Sequence, residues 1–377
     1  MDQLANVIIW VIIIQGIFLG GTYIFSKKGK SNANRILGFF LLAFVVEALS
    51  SDFIPYNYLG NYLLGDYFGI PEVKLFFPVL FLNYILAKLG RVLAYKNILR
   101  AIYLVAIIVL CLTPLNIVFH LTSNTTVREV FGVTITNQLF MVSQYGAFIL
   151  TVAALIISII ETYRYMKMAQ NEFSDYGMLQ INWLWQFIFI LIPIIILWGF
   201  ELAYIISGGT GPSDYLSITW IFVFIFLYFF SFKAYRNPNL FEQMPQNKHL
   251  EDDVQNYEKE NHTCTEESIA NIISEMEKNQ YYLDIDLTLH AFAKKINMSS
   301  RLISSCINKK LGHNFNEWVN NFRVEKALEM IKSDKKNLLS IEGIGKDSGF
   351  KSRSAMYAAF QKKLGHSPGY FRSNLMS

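Results

Sequence analysis

Charge is in short supply. Asp, Glu, Lys and Arg make up only 16% of the 377 residues, against 53% apolar ones, and such a composition excludes an ordinary soluble enzyme for the chain as a whole. Cysteine is rarer still. Cys111, Cys264 and Cys306 stand far apart with no Cys-x-x-Cys pair, so neither a disulfide framework nor a zinc site is legible. His290, His313 and His366 have no second His or Cys at metal-ligand spacing, which leaves them as surface or turn residues and gives no reason to expect a metal or other cofactor. A Walker loop, a G-x-S-x-G elbow, HExxH and paired catalytic carboxylates are all missing, as is a phosphoacceptor histidine with an ATP-binding region. No enzyme is expected, and no sensor kinase. The last long apolar run, "LSITWIFVFIFLYFFSF", lacks the mid-span Lys that a retinal protein would need.

What abounds is uninterrupted apolar sequence. A membrane helix takes about 20 apolar residues to cross roughly 30 Å of hydrocarbon. Seven such runs occur, near residues 4 to 25, 36 to 54, 72 to 90, 98 to 120, 137 to 161, 183 to 206 and 216 to 234. The first, "LANVIIWVIIIQGIFLGG", has neither a basic leader nor a small-residue cleavage site and reads as a retained span. Lys27, Lys28, Lys30 and Arg35 lie in the first connector, Lys88, Arg91, Lys96 and Arg100 in the third, and Arg164 and Lys167 in the fifth. The alternate connectors carry little positive charge. Cytoplasmic loops are the ones enriched in Lys and Arg, so the N-terminus is expected outside and the chain after residue 235 inside, where DNA lies.

Beyond the last run the sequence changes character. Residues 241 to 377 hold 19 Lys/Arg and 18 Asp/Glu and would pass as a soluble protein. A polar connector leads to "TEESIANIISEMEKNQ", in which Ile269, Ile272, Ile273 and Met276 form one helical stripe behind a capping Thr265. Two helix-turn-helix units then follow, joined by a longer helix. In the first, Thr288 caps a helix burying Leu289, Phe292, Ala293 and Ile296; after a turn through Asn297 and Met298, Ser299 caps a second helix burying Ile303, Ile307 and Leu311. The joining helix, "NEWVNNFRVEKALEMIKS", turns Trp318, Phe322, Ala327 and Ile331 inward. In the second, Ile341 and Ile344 pack the first helix, Gly349 permits the turn, and Ser352 caps a helix burying Met356, Phe360 and Leu364.

Across residues 266 to 374 the chain resembles the DNA-binding domain of the AraC/XylS family of bacterial transcription regulators. The resemblance rests on Ala293, "MS" at 298 to 299, "LG" at 311 to 312, "FRVEKALEMI" at 322 to 331, "SGF" at 348 to 350 and "AFQKKLGHSPGYFR" at 359 to 372. It covers a little under a third of the chain. Two departures concern packing: Gly345 stands where the family usually has Ala, and Cys306 with Ile307 replaces an apolar pair ending in Phe. The preceding region is not the sugar-binding barrel often attached in that family, so no ligand class follows from the resemblance.

Charge points to DNA independently. Residues 287 to 377 hold 16 Lys/Arg against 6 Asp/Glu, and neutralising phosphate is the main non-specific contribution to DNA affinity. Residues 241 to 286 hold 3 against 12, an acidic stretch read as a solvated linker with autoinhibition as the sharper alternative. Side chains on the second helix of each unit that point away from its buried face would enter the major groove. These are Arg301, Ser304, Ser305 and Asn308 in the first unit and Arg353, Ser354, Tyr357 and Gln361 in the second; Lys309, Lys310, Lys351, Lys362 and Lys363 would lie nearer phosphates.

The expected fold is all-α: a seven-helix transmembrane bundle over 1 to 236, an acidic cytoplasmic linker over 237 to 265, and a double helix-turn-helix domain over 266 to 377. The expected function is that of a membrane-anchored, one-component transcription regulator, multi-pass in the inner membrane. Its partners would be double-stranded promoter DNA, the lipid bilayer, an unknown small-molecule or membrane signal, and, since tethering gathers copies in one plane, a second copy in a homodimer. A transporter or channel with a DNA-binding regulatory tail is the alternative. Glu47, Lys74 and Glu201 fall at similar depth in the outer half of the spans and form the candidate signal-sensing group, because ionisable residues in a bilayer face the bundle interior and find partners.

Overall fold

The computed structural model describes residues 2–25, 32–50, 72–174, 181–208, 214–236, 264–334 and 338–374. The protein is all-α, with no strand among these residues. It divides into two units. The N-terminal unit comprises Met1–Thr162 with Asn182–Gln246, and the C-terminal unit comprises Tyr163–Ile181 with Asn247–Ser377. The acidic linker expected at 237 to 265 lies outside the described residues except for its last two, as do Lys27, Lys28 and Lys30.

The N-terminal unit is built from α1 (Asp2–Phe25), α2 (Asn32–Ser50), α3 (Phe76–Leu89), α4 (Lys96–Leu110), α5 (Leu112–Ser123), the short α6 (Val127–Phe131), α7 (Val133–Glu172), α8 (Ile181–Ile206) and α9 (Asp214–Arg236). Five helical stretches are long and apolar enough to cross a membrane: those of α1, α2, Val92–Ser123, α7 and α8. Phe76–Leu89 and Ile218–Phe229 are shorter apolar helices. Together they fall on the seven runs of the sequence. The fourth run forms the helical stretch Val92–Ser123, with a break in its ladder at Cys111 between α4 and α5. Pro114 explains the break. It has no N–H to give the carbonyl of Leu110, so the helical ladder loses a rung there.

Helices α1 and α2 lie close together because glycine lines their contact. A Cβ on Gly38 would stand 2.8 Å from the Gly20 carbonyl oxygen, and one on Gly16 would stand 2.4 Å from Val45. Gly16 and Gly20 form the G-x-x-x-G spacing that lets apolar helices approach backbone to backbone. Beside this contact an aromatic cluster fills the interior: the Phe40 ring has Phe44, Phe77, Phe81, Phe187 and Phe226 within 6.3 Å, centre to centre. The unit also buries Asn116, Gln144, Thr151, Ser158 and Glu161 while exposing Ile14, Phe18, Ile108, Val142, Ile149 and Ile196. Its outer faces are apolar, and inside it these polar residues lie among a larger number of buried apolar ones.

The C-terminal unit has a polar surface over apolar cores. Its helices are α10 (Glu266–Lys278), α11 (Leu289–Lys295), α12 (Ser300–Cys306, continued by a π turn at Ile307–Leu311), α13 (Phe315–Ser333), α14 (Ile341–Asp347), α15 (Arg353–Leu364) and α16 (Pro368–Asn374). The caps read from the sequence are formed: the hydroxyls of Thr265, Thr288, Ser299 and Ser352 accept the backbone N–H of Ser268, Ala291, Leu302 and Ala355. Each fixes a helix start for about 1 kcal/mol. Two apolar cores result. Met276, Phe292, Ile303, Ile307, Phe315 and Val319 belong to the first, and Val324, Ala327, Ile344, Met356 and Phe360 to the second. Helix α13 supplies its first half to one core and its second half to the other. Ile296, Leu311, Phe322, Ile341 and Leu364, expected inside, are half-buried and pack against the core edges.

Two residues lock the halves together. Gly349, in the turn before α15, has φ 87° and lies so close to the Tyr281–Leu283 turn that a Cβ would stand 2.4 Å from the Tyr282 carbonyl oxygen. Only glycine meets both demands. Arg323, on α13, is fully buried, and its guanidinium donates to the carbonyls of Tyr282 (2.7 Å) and Asp284 (2.8 Å) and to Ser174 Oγ (3.1 Å). Both family departures have structural counterparts. Gly345 leaves room for Met356, whose sulfur lies 3.0 Å from where a Cβ would be. Cys306, at the end of α12, forms a disulfide with Cys264 just ahead of α10, a pairing that the spacing of 42 residues did not reveal.

Candidate DNA interface and internal cavity

Helices α12 and α15 are the second helices of their units, and each presents a polar face opposite its core. Arg301 and Asn308 are exposed on α12, with Ser304 and Ser305 half-buried at its flank; Arg353, Ser354 and Gln361 are exposed on α15, with Tyr357 half-buried. All eight expected base-reading residues therefore lie on accessible faces. Within them, Arg353 Nη2 donates to the Tyr357 hydroxyl (3.1 Å) with its guanidinium 5.0 Å above that ring, a pairing one helical turn apart that holds the fork extended. Asn308 Nδ2 donates back to Ser304, and Gln361 Nε2 to the Gly365 carbonyl (2.8 Å), so Gln361 helps to finish its own helix.

Four of the five expected phosphate-contact lysines are paired with carboxylates of the same unit. Lys310 meets Glu266 at 2.5 Å, Lys351 meets Asp286 at 2.6 Å, Lys363 meets Glu325 at 2.6 Å, and Lys362 pairs with Glu317. Lys309 is exposed beside them. Exposed pairs of this kind are worth about 0 to 1 kcal/mol each, so phosphate could compete for the same ammonium groups at little cost. Lys362 and Lys363 tie α15, which carries Arg353, to α13.

Sequence reasoning missed one feature of this unit. The end of α7 and the residues after it are part of it: the Glu172 carboxylate accepts the backbone N–H of His290 at the start of α11 (3.3 Å), and Ser174 N–H donates to the Leu287 carbonyl (3.1 Å). Asn316 Nδ2 donates to the Ser174 carbonyl at 2.5 Å. With Arg323 on the Ser174 hydroxyl, this segment is held by the first helix-turn-helix unit and the joining helix alike. Nothing in "NEFSD" signals such docking locally.

The N-terminal unit holds a cavity of about 450 Å³, lined among others by Glu47, Lys74 and Glu201. The structure thus brings all three expected sensing residues to one space. Lys74 Nζ and the Glu47 carboxylate form an ion pair at 3.0 Å. Glu72, missed in the sequence, is the fourth ionisable group on the wall; one of its oxygens accepts the Lys74 backbone N–H (3.0 Å) and the other accepts Gln144 Nε2 (2.7 Å). Its place two residues ahead of Lys74 in "PEVK" was the available clue.

Capped tandem helices, two cores and one shared helix define a double helix-turn-helix module, and comparison with known proteins agrees. Residues 292–374 match the family described as a helix-turn-helix domain, of AraC type. A relative is YfiF of Bacillus subtilis (strain 168), described as an uncharacterized HTH-type transcriptional regulator, 37% identical over 87 residues. That match takes in 23% of this chain and 26% of the relative, so the chain spans about a quarter of the length of the protein it resembles. A solved structure of a protein of unknown function from Listeria innocua matches 28% of this chain and 95% of its own at 21% identity, with a TM-score of 0.25 too low to carry an argument.

Proposed function

We propose that this chain is a membrane-anchored, one-component transcription regulator. Its C-terminal module binds promoter DNA sequence-specifically, and its N-terminal unit senses a signal in the bilayer or beyond it. The observation that carries the DNA reading is the pair of Ser-capped helices, α12 and α15, each exposing an arginine in its first turn, Arg301 and Arg353, on a region with ten more bases than acids. Such helices occupy successive major grooves about one turn of ~34 Å apart, with arginine reading guanine in a bidentate fashion. The bilayer reading is supported by the apolar outer faces of the long helices, and the alternation of basic connectors favours an N-terminus outside and a DNA-binding end in the cytoplasm.

Helix α7 is one helix of 40 residues whose first part belongs to the apolar N-terminal unit; its last residue, Glu172, accepts the His290 N–H of α11, and Ser174, two residues beyond it, accepts Asn316 of α13. The test is binding by the full-length protein in lipid nanodiscs. Promoter fragments from its own neighbourhood should bind far more tightly than random DNA at moderate salt, and equal binding would overturn the regulator reading. Reporter fusions after Arg236 that work only outside the cell would overturn the topology.

A further inference from the structure

The signal received by the N-terminal unit has a chemistry that its cavity specifies. We propose that the cavity binds an organic cation, an ammonium group carried on an apolar, aromatic-compatible body; the proposal rests on the sensory reading above. Size is the first argument. A space of about 450 Å³ suits a small organic molecule, since such sites run from about 300 to 1,000 Å³, and it is far larger than a bare ion requires. Among the described residues no group of three or more His, Cys, Asp or Glu is placed to hold a metal ion.

Charge is the second argument. Three carboxylates, Glu47, Glu72 and Glu201, line the cavity against one ammonium, that of Lys74. Lys74 already forms its ion pair with Glu47 at 3.0 Å. The formal balance of the wall is therefore negative, and in a largely apolar setting that balance favours an incoming positive charge and opposes an anion. The wall itself is the third argument. Phe44, Phe77, Tyr145, Trp198 and Trp220 are among the lining residues, with Phe44 and Phe77 in ring contact at 4.6 Å. Aromatic faces attract cations and repel carboxylates, and they offer an apolar body the contacts that a hydrated inorganic ion could not use.

The test uses the full-length protein in nanodiscs and three probes that share one body: phenylbutylammonium, phenylbutanol and phenylbutyrate. Binding is read by tryptophan fluorescence, to which Trp198 and Trp220 contribute, and by thermal shift. The ammonium should bind at least about tenfold more tightly than either analogue. Glu201→Gln should weaken the ammonium by about tenfold or more while leaving the alcohol unchanged, and Glu201→Asp, which keeps the charge and controls for misfolding, should retain most of the affinity. Equal affinity for ammonium and alcohol would overturn the proposal, as would preference for the butyrate, which would make Lys74 the anchor. Target-gene output in Glu47→Gln and Glu201→Gln cells separates the two readings. Altered output without cation preference sinks the ligand class and leaves the sensor standing, whereas cation preference with unaltered output upholds the site and removes its sensory role.

Discussion

The two units of this protein both bury apolar side chains but differ in what they expose. The N-terminal unit exposes Ile14, Ile108 and Ile149 and buries Asn116, Gln144 and Glu161 among its apolar residues; the C-terminal unit buries Phe292, Ile303 and Phe360 and exposes Arg301, Lys309 and Arg353. In water the apolar core is the source of stability, so in the C-terminal unit a few aliphatic and aromatic side chains per helix suffice and the rest of each helix is left for DNA. On the proposed bilayer reading, the apolar surface of the N-terminal unit gains nothing from being buried. Glycine contacts such as Gly20 with Gly38 and interior hydrogen bonds such as Asn116 to the Val127 backbone take over that work.

The sharpest way to probe the contrast is to make one change in both units. In the oxidised purified protein Cys264→Ser opens the disulfide to Cys306, which spans 42 residues, and should cost the C-terminal unit about 4 kcal/mol on the chain-entropy account, whereas in the reducing cytoplasm where this unit is proposed to lie the same change should be nearly neutral. Cys111→Ser, at the exposed free cysteine of the N-terminal unit, should change stability by less than about 0.5 kcal/mol. Denaturant titration of the full-length protein, followed by hydrogen exchange in each unit, measures both. If Cys264→Ser also left the C-terminal unit unchanged, the disulfide would have no structural weight there.

Next in size is a charge placed on an exposed apolar position. Ile149→Lys on α7, at a site 65% exposed, should cost about 3 kcal/mol of insertion and lower membrane abundance several-fold. Leu338→Lys in the C-terminal unit, at a site 79% exposed, should be nearly neutral, within about 0.5 kcal/mol. Equal outcomes would remove the bilayer from the account of the first unit.

These pairs also show what the sequence could disclose. Caps, turns and inward faces were legible because they are local: Ser299 and Ser352 follow from one side chain and the N–H three residues on, and Met356 and Phe360 follow from helical period. Contacts between distant segments carry no such period. Cys264 with Cys306, Glu72 with Gln144, and Ser174 with Asn316 and Arg323 could be found only by folding the chain. Arg323 is the plainest case, since a charged residue at a core position breaks the apolar pattern until its carbonyl partners are known.

Within the C-terminal unit the two recognition helices differ in how they are held, and DNA binding can expose that. Arg353→Ala should cost about 1 to 3 kcal/mol at a single base position if the arginine reads guanine. Lys362→Ala should weaken all sequences alike, and, because Lys362 pairs with Glu317, it should also cost up to about 1 kcal/mol of stability. Binding to a panel of single-base operator variants at two salt concentrations separates the roles. Loss of specificity in Lys362→Ala would mean that this tie, by setting the tilt of α15, is part of the readout.

The smallest effect concerns acid. Partial burial pushes the Glu317 carboxyl upward, but hydrogen bonds from the Lys362 ammonium and the Asn314 backbone N–H outweigh it and hold the group below the ordinary glutamate range. Its charged form is therefore favoured by folding. The stability it contributes is whole above the unfolded value, about 4.3, and is lost as pH falls through the lower folded value. Since the pair is largely open to solvent, the loss should stay under about 1 kcal/mol. Glu317→Gln tests the origin, because glutamine can still close the capping box with Asn314 at the start of α13 while giving up the charge. The variant should match the parent in fold and show a flatter decline in melting temperature between about pH 5 and pH 3, whereas an unchanged slope would place that acid sensitivity in another carboxylate and reduce the Lys362 tie to a crystal-like surface pair.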